Sequence, residues 1–231
     1  MQSPFDNVVR MDGLSAALQA NKVLRNTYMM LGLTMVPTVV GAYLGMNLNF
    51  AFAAGHPFMF AIGMMAVMMG LFYGISANRE SGVGVVLLLL LTGFMGVMLG
   101  PILQLALHLR NGAEIVGLAA GGTGAIFLTL AGIANTTKRD FSFLGKFLMV
   151  GIVLLILASL ANIFFHIPAL ALTISAVAVL LFSGFLLFDV SRVVNGGESN
   201  YVMATLAIYL DIYNIFVNLL QLLMALMGDR D

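Results

Sequence analysis

Seven apolar stretches of about twenty residues follow one another along this chain, with only a few polar residues between them. A helix of that length crosses the roughly 30 Å of hydrocarbon in a bilayer, and it satisfies its own backbone hydrogen bonds while doing so. The stretches cover residues 27–47, 57–77, 82–107, 113–134, 145–166, 168–190 and 201–227. Each gap has a local cause: HP at 56–57, NRESG at 78–82, RNG at 110–112, TTKRD at 136–140, HIP at 166–168 and NGGESN at 195–200. The expected fold is all-α and polytopic. Seven transmembrane helices form one membrane domain over 27–231, preceded by a polar tail over 1–26. That tail lacks the apolar segment and small-residue cleavage site of a signal peptide, so the first stretch is expected to stay in the membrane.

The charge count agrees. Only 9% of residues are charged and 61% are hydrophobic, whereas soluble domains carry about 25% charged residues. The bilayer is therefore the expected solvent. Net charge is zero, with no basic patch to hold nucleic acid. The absence of Cys excludes disulfides, thiolate metal sites and Cys nucleophiles, and no cofactor is expected. With the N-terminus in the cytosol, eight basic residues share that side: Arg10, Lys22, Arg25, Arg79, Lys138, Arg139, Lys146 and Arg192. Arg110 and Arg230 are left on the other. That bias predicts a cytosolic N-terminus and a C-terminus outside.

Small residues recur four apart at Gly41/Gly45, Gly70/Gly74, Gly96/Gly100 and Gly117/Gly121. The spacing lets helix backbones approach closely in lipid, and ordinary bundle packing accounts for it. The Met run at 64, 65, 68 and 69 reads as pliable packing rather than a copper site.

The last stretch differs from the others. Asp211 stands in the middle of AIYLDIYNIF (207–216), where an ionised carboxylate costs about 2.5–3.5 kcal/mol on insertion scales. Asn214, Asn218 and Gln221 follow at offsets of 3, 7 and 10. All four fall within an arc of about 80° on a helix. Lipid cannot satisfy such a stripe, so it is expected to face other helices or a wet cavity, with the last helix enclosed by the other six. A second acid, Asp189, lies in LLFDVSR near the end of the sixth stretch. If the two acids approach, they cannot both ionise cheaply, and the pair would share a proton near neutral pH. Protonated, such a pair can close; ionised, it repels or recruits a cation. A tight turn at Gly196–Gly197 would leave Asp189 opposite Thr205, about 9 Å short of Asp211. Pairing therefore requires the last helix to begin late, near 201–203, or to tilt.

The stretch NGGESNYVMATLAIYLDIYNIFVNLL (195–220) resembles the C-terminal signature of the Bax inhibitor-1 family. KVLRNTY (22–28), TTKRDFSFLGKFL (136–148) and ANIFFHIPALALTISA (161–176) are similar to its bacterial YccA branch. The resemblance implies seven helices, six of them around the last, in a bacterial inner membrane. It also implies a pH-sensitive Ca²⁺ leak gated by an aspartate pair that maps onto Asp189 and Asp211. The family's gate includes an Arg near the end of the second span, and in ISANRES (75–81) that cation is Arg79. The branch implies a further role, as a substrate-like modulator of the FtsH-type membrane AAA+ protease.

Three classes of function follow. For a cation leak, carboxylate and amide oxygens are hard ligands suited to Ca²⁺, and two acids fall short of the 6–8 oxygens of a tight site. That shortfall suits a passing ion. A modulator of a membrane protease would use the tail and loops instead. An intramembrane hydrolase is disfavoured, since the chain has no Ser–His pair, HExxH or GxGD-type motif. His56, His108 and His166, with Glu114, are expected at the outer face, where external pH could act on them.

Overall fold

The computed structural model describes residues 4–50, 55–137 and 139–228. Described residues fall into eight helices: α1 (Pro4–Met46), α2 (Pro57–Ala77), α3 (Gly82–Met98), α4 (Gly100–Leu107), α5 (Gly112–Thr137), α6 (Phe143–Phe165), α7 (Pro168–Val194) and α8 (Tyr201–Met227). With α3 and α4 counted as one span, seven helical segments are long and apolar enough to cross a membrane. Lys138 and Arg230, two of the basic residues used for orientation, lie outside the described residues.

Prolines and polar caps set the ends of these helices. Pro57 and Pro168 open α2 and α7, where a missing N–H costs nothing. The sequence suggested one helix over 82–107, but the chain breaks at Leu99. Pro101 follows it in the first turn of α4 and cannot continue the preceding hydrogen-bond ladder. At the start of the chain, α1 is continuous from Pro4, and its apolar portion begins at Leu18. The polar tail thus runs into the first span as one helix.

Glycines bring α1 onto α3 and α4. A Cβ on Gly41 would overlap the Gly93 carbonyl, one on Gly96 the Thr38 carbonyl, and one on Gly100 the backbone of Gly45. These pairs meet backbone to backbone. Of the other spaced glycines, Gly74 touches only the Leu87 side chain, and a Cβ at Gly70, Gly117 or Gly121 would meet nothing within 4 Å. Half of the pattern is therefore close backbone packing, and three of the other four glycines face open space.

Helix α8 packs against α1, α2, α3, α5 and α7. Its residues Val202, Ile208, Tyr209, Ile215 and Leu220 are all buried. Helix α6 packs chiefly on α7, and Leu148 is its only buried residue. The ring of six helices expected around the last one is therefore uneven, with α6 set outside α7.

A carboxyl pair between the last two helices

Helix α7 ends at Val194, five residues beyond Asp189, and α8 starts at Tyr201, ten residues before Asp211. Those offsets correspond to rises of about 7.5 and 15 Å. The non-helical segment 195–200 absorbs the difference, as the spacing of the two acids requires. Gly196 turns the chain with φ +75°, a conformation that side chains resist. Asn200 then caps α8: its side-chain oxygen accepts from the N–H groups of Val202 and Met203, both at 3.0 Å. The Asn200 amide nitrogen donates to the Arg79 carbonyl at 2.9 Å and to Glu80 Oε1 at 3.1 Å. One side chain thereby ties the α2–α3 turn to the start of the last helix.

With this offset Asp189 and Asp211 come within hydrogen-bonding reach of each other. Asp211 is 5% exposed. Counted as an ionised carboxylate, it leaves Oδ2 buried with no donor among the described residues. A proton held between the two carboxyls would supply one, because a protonated acid donates as well as accepts. Asp189 lies closer to the helix end, and Arg192 Nη1 stands 3.8 Å from its Oδ1. The same guanidinium reaches Glu198 Oε2 at 3.5 Å and lies over the Phe188 ring. Glu198 in turn accepts from the Asn200 N–H at 2.9 Å. A chain of contacts thus links the carboxyl pair through Arg192 and Glu198 to the cap of α8.

Arg79 takes a different place from the one the family resemblance suggested. Its guanidinium faces Glu80 at 3.8 Å on the surface, and no ion pair joins it to Asp189 among the described residues. Arg192 is the cation beside the acids. It sits one turn after Asp189, an i,i+3 spacing visible in DVSR. Asn200 could likewise be read as a helix N-cap, as an Asn directly before an apolar run.

The polar stripe is only partly inward. The amides of Asn214 and Asn218 donate to the carbonyls of Leu210 and Asn214 one turn back, each at 2.8 Å. Both residues are half-buried, and their amide oxygens stay available. Gln221 is exposed and accepts from the Ser175 hydroxyl at 3.0 Å. These two residues line a cavity of about 320 Å³ between α4, α7 and α8. No group of three or more His, Asp or Glu gathers among the described residues. His108 and His166 are exposed and engage local carbonyls, of Gln104 at 2.6 Å and Phe164 at 3.1 Å. His56 and Glu114 are exposed as well.

A bundle of seven membrane-length helical segments, with a carboxyl pair between its last two helices, defines a polytopic α-helical membrane protein. The family model described as "Inhibitor of apoptosis-promoting Bax1" matches residues 20–228, and the chain belongs to the Bax inhibitor-1 family. The Modulator of FtsH protease YccA of Escherichia coli K12 is 39% identical over 215 residues, covering 90% of this chain and 92% of the relative. An uncharacterised protein of Neisseria meningitidis is 44% identical over 222 residues, covering 94% and 97%. An uncharacterised membrane protein of Vibrio cholerae is 38% identical over 222 residues, covering 96% and 97%.

Proposed function

We propose that this protein is a pH-sensitive cation leak of the bacterial inner membrane, with Ca²⁺ as its ion and the Asp189–Asp211 pair as its gate. The reading rests on one observation: two acids from different helices come together, with Asp211 buried among apolar side chains. A shared proton keeps the pair together. Losing it leaves two like charges that separate or take up a cation. Asn214, Asn218 and the Gln221–Ser175 end supply amide oxygens along the path from the pair. Too few oxygens converge to hold Ca²⁺ tightly, which favours passage over storage. Arg192 supplies the counter-charge to Asp189 when the proton leaves. The eight-to-two distribution of basic residues supports an N-terminus in the cytosol and a C-terminus in the periplasm. No chemical reaction is assigned to the protein.

The test is Ca²⁺ flux into proteoliposomes of purified protein at several pH values. Wild-type flux should show a step with pH between about 6 and 8. Asp189→Asn and Asp211→Asn should each remove that step, because the titration belongs to the pair. A step that survives in either variant would move the sensor elsewhere, first to His56, His108 and His166.

A second reading draws on the relative whose name is modulator of FtsH protease. We infer that this chain engages a membrane AAA+ protease of the same kind through its N-terminal segment and loops. That role does not use the acids, so Asp211→Asn should leave binding to a purified FtsH-type protease in nanodiscs unchanged.

A further inference from the structure

On the side of α8 facing away from the acids, α1 and α5 stand apart and leave a groove of about 930 Å³. That volume lies at the upper end of the range of small-molecule sites, about 300–1,000 Å³. Asp211 and Tyr209 lie about 200° apart around α8, so the groove and the carboxyl pair occupy opposite faces of one helix. The floor is formed by Ile212, Tyr213 and Phe216, and the walls by α1 and α5. Missing side chains create much of the space. Gly32, Gly124 and Gly132 line the groove, and a Cβ on any of them would meet nothing within 4 Å.

The hydroxyls in the middle of the groove are engaged with protein, whereas Tyr43, at the end away from Tyr28, is exposed. Thr38 and Tyr209 bond each other at 2.8 Å, Tyr213 donates to the Met95 carbonyl at 3.2 Å, and Thr123 to the Ala119 carbonyl at 2.7 Å. A row of water needs unsatisfied polar partners, and the middle of the groove provides none. It is therefore not an ion path. One end differs. There Tyr28 bridges the gap: its hydroxyl accepts from the Asn135 amide at 2.8 Å and its ring meets Phe127 edge-on at 6.2 Å. Arg25, exposed, lies one turn earlier on the same side of α1. An apolar slot open to the bilayer, with a cation and a hydroxyl–amide pair at one end only, matches an amphiphile with one anionic end. Basic residues beside spanning helices select anionic head groups in this way.

We propose that the α1–α5 groove binds the acyl chain of an anionic phospholipid, with its phosphate at the end formed by Arg25, Tyr28 and Asn135. The site is independent of the gate reading. The probe is phosphatidylglycerol carrying a photoactivatable acyl chain, with phosphatidylcholine bearing the same chain as control. Full-length protein is labelled in vesicles of three parts phosphatidylcholine to one part phosphatidylglycerol. Cross-links should concentrate on groove residues such as Met35 and Leu128, above the level at Met65 and Met69 on the lipid-facing side of α2. Gly32→Leu with Gly132→Leu should lower groove labelling to the α2 level while the thermal midpoint holds. Arg25→Gln should keep acyl labelling but reduce the preference for phosphatidylglycerol about fivefold. Groove labelling no higher than α2 labelling, undiminished labelling in the filled variant, equal labelling by both lipids, or cross-links joining two copies of the chain would each overturn the proposal.

Discussion

Asp211 lies at 5% exposure in a helix whose other faces are apolar, so its carboxyl is the group most dependent on a neighbour. Asp211→Leu should keep the helix packed but abolish both Ca²⁺ flux and its pH step in proteoliposomes, because neither the charge nor the hydrogen bond survives. Asn200 makes a prediction about stability. Its side chain caps α8 and also holds the Arg79 carbonyl and Glu80. Asn200→Ala should cost about 1 kcal/mol from the cap alone, read as a lower thermal midpoint, while Asn200→Asp should recover the cap but not the bond to the Arg79 carbonyl. At the surface, Asp140 Oδ1 accepts from the Ser142 N–H at 2.8 Å. The Ser142 hydroxyl and N–H hold this carboxyl below the ordinary carboxylate range. Its support for the start of α6 is therefore complete above the unfolded-state value and is lost as pH falls through the folded one. Asp140→Asn should flatten the part of the acid-side melting curve that belongs to this turn. Both acids of the pair were legible as residues, since a charge inside an apolar run stands out. Their ionic neighbour was not, because Arg79 and Arg192 both flank a span end and choosing between them requires knowing which turn faces Asp189.

Among the helices, the spaced glycines divide by what stands opposite them. Gly96 abuts the Thr38 backbone, whereas Gly117 has no neighbour within 4 Å. Gly96→Ala should therefore force α1 and α3 apart and cost about 1–3 kcal/mol, as overpacking does. Gly117→Ala should be neutral or stabilising by up to about 1 kcal/mol, since Ala is the better helix former. Thermal unfolding of the two variants in one detergent compares them directly. A spacing of four puts two small residues on the same side of a helix, but it contains no information on whether a second helix comes to that side. The break at Leu99 was equally hidden behind an apolar run, although Pro101 marked its place. The late start of α8 was readable, because two acids five and ten residues from their helix ends can meet only across an extended segment.

Across the molecule, α8 and α6 are opposites. Val150, Val153, Leu154 and Leu157 on α6 are exposed, while Ile208 and Ile215 on α8 are fully buried. Lipid-borne quenchers should reach a probe at Leu154 readily and one at Ile208 hardly at all. The contrast arises from contacts distant in sequence, because α6 is the more apolar of the two and nothing in its composition says that it lies on the outside.

Seven spans, their approximate limits and the pair of intramembrane acids follow from chain chemistry alone. The bilayer demands apolar length and internal backbone bonding, and it makes each buried charge costly enough to stand out. Which glycines meet a backbone, which Arg lies beside Asp189, and that α1 and α5 stay apart depended on three-dimensional packing. Every helix here is apolar on most sides, so periodicity cannot tell a side that faces lipid from one that faces another helix. Only the placement of distant segments against each other separates the two.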